Sequence, residues 1–295
     1  MRFTGVLPAL VTPLNADETV NVQATEKLVR GLLAQGADGF YVGGATGEGI
    51  SLCAEQRRVL TETVISATEG KKPSIVHVAS TNFNEAVELA RHAEAVGADA
   101  ISAIPPLFYK YDEDDVYGYY KKLADAVHIP LIIYYNPNAG FTVNAKFAAR
   151  MFEVDNITGI KWTSSDYYGM MELKNLTHGE MNIINGPDEM LLMGLSAGAD
   201  AGIGTTYNFM LNLIRGVYDS FRAGDMKKAN EYQCRVAHII AAMRPYPTLP
   251  VSKVMLEAMG IETGNCAFPH KVMSPEKKAE AVAALTAAGW ERVCL

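Results

Sequence analysis

Eight short apolar, β-prone runs alternating with amphipathic helical windows, a repeated helix-to-strand joint, and a purely helical tail together predict an α/β fold. The specific expectation is a closed (β/α)8 TIM barrel with a C-terminal helical appendage, in preference to an open doubly wound sheet. In order, the runs are Val6 to Val11, Gly39 to Gly43, Ser74 to Ala79, Ala100 to Ile104, Leu131 to Tyr135, Ile157 to Trp162, Met181 to Asn185 and Ala201 to Gly204. Helical windows fill the gaps, with apolar residues spaced by three and four, as at Ala24, Leu28 and Leu32 or Leu60, Val64 and Ala67. The joint recurs as Gly36-Ala37-Asp38-Gly39, Gly97-Ala98-Asp99-Ala100 and Gly198-Ala199-Asp200-Ala201, each glycine standing where a helix ends and needs a left-handed residue. From about Asn208 no strand pattern returns; the helical windows are broken at Gly224, Pro245 to Pro247, Gly260 to Gly264 and Ser274-Pro275. This divides the chain into residues 1–225, a barrel carrying the chemistry, and 226–295, a helical extension packed on it.

Composition narrows the function. With 295 residues, 49% of them hydrophobic, and a mean hydropathy of +0.03, the chain can bury about three quarters of its unfolded surface in a large core. The balance of 26 basic against 33 acidic residues, with no Lys/Arg run longer than two, has the wrong sign for a nucleic-acid binder. Cys53, Cys234, Cys266 and Cys294 are too scattered for a disulfide framework or a zinc site. Near the N-terminus, Pro8 and Pro13 interrupt the apolar run after Arg2 and Asp17-Glu18 follow, so it reads as a first strand and not an export signal. No apolar run approaches the roughly 20 residues that cross a bilayer. The expectation is a cytoplasmic protein with no membrane partner.

One residue is out of place. Ile157-Thr158-Gly159-Ile160-Lys161-Trp162-Thr163 has the composition of a strand buried on both faces, where an ammonium is poorly solvated. Lys161 either reaches an ion pair or solvent, or is an amine nucleophile kept neutral by its apolar surroundings.

Around it, the strand ends carry polar groups. Gly43-Gly44-Ala45-Thr46-Gly47-Glu48-Gly49 can turn several N–H groups toward one anion, yet fits neither a Walker loop nor G-x-G-x-x-G, and a tight turn without ligand reads equally well. Tyr134 and Tyr135, before Asn136-Pro137, read either as packing or as a proton shuttle at the barrel mouth. Thr163 falls beside the lysine on the alternating pattern, and Asp166 reads as a helix cap. Gly186-Pro187-Asp188-Glu189 and Gly204-Thr205-Thr206 end strands seven and eight. Asp188 by itself reads as a helix cap; together these hydroxyls and carboxylates, with no cation nearby in the sequence, suit a polyhydroxylated ligand. The six histidines show no paired spacing and read as structural or surface residues, so no metal is expected.

Gly44-Ala45-Thr46-Gly47-Glu48, Tyr134 before Asn136-Pro137, Gly159-Ile160-Lys161 and Gly204-Thr205 together resemble the N-acetylneuraminate lyase and dihydrodipicolinate synthase family of class I aldolases, over essentially the whole chain. The resemblance implies a homotetramer in which Lys161 forms a Schiff base with pyruvate or another 2-keto acid, with no cofactor. It also implies that the Ala45 and Thr46 amides and the Thr46 hydroxyl hold the carboxylate, and that Tyr134 moves the proton on the C4 oxygen. The arginine that dihydrodipicolinate synthases typically carry after the tyrosine turn is absent from Asn136 to Phe141. Thr163, Gly186, Asp188, Glu189 and Thr205 match positions that meet sugar hydroxyls in N-acetylneuraminate lyases. The expected reaction is cleavage of N-acetylneuraminate to N-acetylmannosamine and pyruvate. The alternatives are another pyruvate-dependent aldolase of the family, acting on a 2-keto-3-deoxy sugar acid or resembling dihydrodipicolinate synthase, and a barrel that binds a sugar acid without turnover. The chain departs from the family pattern at Ala45, where Ser or Thr is common, and at Phe108, which aligns with a relay tyrosine; the Tyr135-Asn136 order is also displaced by one place.

Overall fold

The computed structural model describes residues 2–295. Its eight strands are β1 (Gly5–Pro8), β2 (Phe40–Val42), β3 (Ser74–His77), β4 (Ala100–Ala103), β5 (Leu131–Tyr135), β6 (Ile157–Trp162), β7 (Asn182–Asn185) and β8 (Ala201–Gly204). Every paired neighbour is parallel, in the order β1-β8-β7-β6-β5-β4-β3-β2. The ring closes just past β1, where Ala9 bridges Tyr41 and the Leu10 N–H donates to the Tyr41 carbonyl at 2.9 Å.

Between the strands lie α1 (Val22–Ala34), α2 (Ala54–Thr68), α3 (Phe83–Ala95), α4 (Glu113–Ala124), α5 (Ala145–Met151), α6 (Tyr167–Leu176) and α7 (Leu191–Ser196), and α8 (Tyr207–Arg222) follows β8. Their starts are written in short polar residues: Asn21, Asn82, Asp112, Asn144 and Asp166 each accept a bond from an N–H of the following first turn. Gly36, Gly97 and Gly198 all take left-handed φ, between 92° and 102°, which an L side chain resists. The repeated joint is therefore one backbone device used three times.

All eight expected strands form. β5, β6 and β8 keep the bounds read from the sequence, while β1 ends earlier, at Pro8. The reason is that the next N–H groups go elsewhere: Ala9 to the Gly204 carbonyl, Leu10 to Tyr41, and Val11 to the Asn208 side chain. β3 stops at His77, beyond which the buried Arg57 guanidinium takes the His77 and Ala79 carbonyls at 2.7 and 2.8 Å. Without those carbonyls Arg57 would be an unpaired buried cation; burial lowers its pKa to about 10.

Beyond α8 come α9 (Met226–Met243), α10 (Thr248–Ala258) and α11 (Pro275–Ala287), the last capped by Ser274 with Pro275 in its first turn. These helices are tied to the barrel at specific points. Gln233 of α9 accepts from the Leu192 N–H and donates to the Asp188 carbonyl, and Trp290 donates to the Phe209 carbonyl at 2.8 Å. Among the described residues no helix is long and apolar enough to cross a membrane.

Candidate active site

Lys161 lies in β6 in register with Tyr134 of β5, so the two side chains point the same way, into the barrel. Lys161 is 5% exposed, and its Nζ sits 4.1 Å from the ring centre of Tyr134 and 4.5 Å from that of Tyr41. It enters none of the ion pairs found among the described residues. An ammonium there is held by aromatic faces alone, and no carboxylate competes for the nitrogen.

Beneath the nitrogen, Tyr41, His77 and Tyr134 stand tilted or edge-on to one another with ring centres 5.8 to 6.3 Å apart. The Tyr41 hydroxyl is fixed by a chain to Ser102 Oγ at 3.0 Å and from there to the Ile132 carbonyl at 2.7 Å. His77 Nε2 accepts from the Ile104 N–H, which leaves the ring proton on Nδ1. Burial first, then the Arg57 and Lys161 charges, hold its pKa well below the usual histidine value, so this ring is neutral. Reading the histidines as structural or surface residues gave no hint that one of them packs against the Tyr134 ring. A histidine at an inward position of the third strand was the available signal.

The other expected site residues gather at the same end of the barrel. In the turn after β2, Ala45 is exposed and Thr46 is buried, its hydroxyl 2.7 Å from that of Thr205 after β8. Glycine is required in this turn: a Cβ on Gly44 would run into the Tyr41 ring, and one on Gly49 into the Gly43 carbonyl. Thr163, Gly186, Asp188, Glu189 and Thr205 line one cleft of about 590 Å³. Among the described residues the buried Thr163 hydroxyl has no partner, and it lies where a side chain on Gly186 would have to go. Asp166 caps α6 through the Gly169 N–H, as its position suggests, at 2.8 Å. Tyr135 takes the opposite face of β5, its ring 4.9 Å from that of Trp162.

Two expectations are corrected. Asp188 does not cap the short 3-10 turn it opens; its Oδ2 accepts from the N–H and hydroxyl of Thr206, at 2.7 and 2.6 Å, and so joins the end of β7 to the end of β8. The cleft also contains a cation: Arg244, at the C-terminal end of α9, lines it with Ile240 and Met243. Phe108 is 90% exposed at φ 77°, edge-on to the exposed Tyr109 and away from the packed core. Among the described residues, no group of three or more His, Cys, Asp or Glu is placed to hold a metal ion.

Burial raises the Asp188 pKa to about 6 against the opposing Thr206 bonds. A carboxyl that binds its proton more tightly folded than unfolded adds stability below the unfolded value, near 4, and loses it as pH rises through 6. Roughly 3 kcal/mol is at stake over two units. Melting of wild type and Asp188→Asn from pH 4 to 7 should therefore give a difference that changes across this window and levels off above it. A constant difference would contradict the assignment.

A sequence model of the dihydrodipicolinate synthetase family matches residues 2–288. The chain belongs to this family. It is 36% identical to an N-acetylneuraminate lyase of Rhizobium meliloti over 275 residues, 92% of this chain and 90% of that protein. Among solved structures it is similar to Proteus mirabilis N-acetylneuraminate lyase, with a TM-score of 0.94, 30% identity and coverage of 99% of this chain and 100% of that one. It is also similar to a catalytic lysine mutant of Ruminococcus gnavus sialic acid aldolase, with a TM-score of 0.92, 30% identity and 98% coverage of both chains.

Proposed function

We propose that this family member is a carbon–carbon lyase that cleaves N-acetylneuraminate to N-acetylmannosamine and pyruvate through a Schiff base on Lys161. The observation that carries the proposal is the Lys161 nitrogen itself: buried, free of any carboxylate among the described residues, and 4.1 Å from the Tyr134 ring. The solved sialic acid aldolase that this chain resembles is described as having a catalytic lysine, which supports the same reading.

In the proposed reaction the amine attacks the keto carbon, and the carbinolamine loses water to give an iminium. Tyr134 takes the proton from the C4 hydroxyl; as the aldehyde forms, the C3–C4 bonding pair moves to C2–C3 and the C=N pair moves onto nitrogen. The enamine is then protonated at C3, and water releases pyruvate and regenerates the amine. The electron sink is the iminium, so no cofactor is needed. The substrate carboxylate is held by the Ala45 and Thr46 amides and the Thr46 hydroxyl, which is free to donate when Thr205 donates to it. Thr163, Asp188, Glu189 and Thr205 hold the sugar hydroxyls, and Arg244 faces the far end of the chain. Ala45 has no hydroxyl and Phe108 points outward, so the Tyr134 proton passes to water or to the substrate's own carboxylate. Self-association, as a homotetramer, would cover the exposed Phe108 and Tyr109 rings.

Borohydride reduction in the presence of pyruvate should add a stable mass to Lys161, and N-acetylneuraminate should release pyruvate. Absence of the adduct at saturating pyruvate would sink the Schiff-base mechanism. An adduct without cleavage of N-acetylneuraminate, but with cleavage of another 2-keto-3-deoxy sugar acid, would move the substrate within the family.

A further inference from the structure

Glu48 is the one charged residue of the glycine-rich turn, and the chemistry above leaves it unused. It has φ 56°, in the left-handed region, and its residue is only 4% exposed, so a carboxylate is held where neither water nor relaxed backbone favours it. Its partner comes from far along the chain: Lys253 Nζ of α10 lies 2.8 Å from Glu48 Oε1, with the two side chains 3% and 1% exposed respectively. Two further bonds extend the pair into the segment after α10. Glu48 Oε2 accepts from the Ala267 N–H at 2.8 Å, and Lys253 Nζ donates to the Asn265 carbonyl at 2.7 Å. That segment is itself pinned to the start of the chain, since the Leu14 N–H donates to the Thr263 carbonyl at 2.9 Å. On the turn's other side, Thr12 donates to the Gly47 carbonyl at 2.7 Å.

We infer that Glu48 and Lys253 are positioning residues that hold the Ala45–Thr46 backbone in its anion-binding shape, making the C-terminal extension a working part of the site. A turn of glycines is mobile unless its ends are fixed, and N–H groups must converge within a fraction of an ångström to serve one carboxylate. A dry ion pair whose carboxylate and ammonium are each also hydrogen-bonded to the backbone, at Ala267 and at Asn265, ties the turn to the segment after α10 as an apolar contact does not. The inference rests on the Schiff-base reading for its readout, because that reading places the substrate carboxylate on this turn.

The test measures the pyruvate concentration that gives half-maximal borohydride trapping on Lys161 in wild type, in Glu48→Gln and in the pair Glu48→Met with Lys253→Met. The double variant removes both charges together and avoids a lone buried ion, so it keeps the fold when Glu48→Gln does not. The expected result is a half-saturation raised on the order of tenfold to a hundredfold in the double variant, with the maximal trapped fraction retained. A double variant that melts differently from wild type but traps with wild-type half-saturation would reduce the pair to a structural contact and overturn the inference. Wild type that fails to trap would instead remove the Schiff-base reading. In that case amide hydrogen exchange across residues 43–49 decides: faster exchange in the double variant upholds the clamp, and unchanged exchange rejects it.

Discussion

Lys161→Met should abolish pyruvate release, by about four orders of magnitude or more, while the protein melts no lower than wild type. The two halves of this result have separate causes. Turnover disappears because every proposed bond rearrangement passes through the nitrogen, and methionine offers no group that can form an iminium. Stability holds because the lysine is 5% exposed and has no ion-pair partner among the described residues, so its replacement leaves no counter-ion unpaired and puts an apolar chain of similar length against the Tyr41 and Tyr134 rings. Differential scanning calorimetry beside a coupled pyruvate assay checks both. A large fall in melting temperature, or residual turnover within tenfold of wild type, would show that the buried amine serves the fold and not the reaction.

Tyr134→Phe should separate covalent capture from cleavage. The ring is 4% exposed and packed edge-on to Tyr41 and His77, contacts that phenylalanine keeps. Among the described residues its hydroxyl bonds to no other group of the chain, so removing it orphans nothing. What is lost is the proton transfer at the C4 oxygen, worth about a hundredfold to ten-thousandfold in turnover. Pyruvate should still be trapped on Lys161. Turnover comparable to wild type would assign the proton to another group. Loss of trapping together with turnover would place Tyr134 in iminium formation as well.

The barrel is legible in the sequence because its strands are buried and therefore mostly apolar, and because helix ends that turn back into strands need glycine at a left-handed position. Lys161 is legible for the same reason, as the one charge in an apolar strand. Tyr41 and His77 are not, since an aromatic ring or a neutral histidine pointing into a barrel obeys the ordinary core pattern. Asp188 misleads because Pro-Asp at a strand end is good local capping chemistry, whereas its real donors belong to Thr206, two residues past the end of β8 at the start of α8. Arg244 carries no motif, and only the packing of α9 against the short turn Asp188–Met190 after β7 brings it into the cleft. Glu48 belongs to a recognisable motif, but its partner Lys253 is 205 positions away in a part of the chain that looks like mere extension.

The wall of the barrel has one thin join, between β1 and β2, where a single bridge at Ala9 and Tyr41 and the Leu10 bond replace a full ladder. Tyr41 stands on that join and also supports the Lys161 nitrogen from below. Opening the cylinder along this seam would shift Tyr41 and, with it, one of the two aromatic faces against which the Lys161 nitrogen rests.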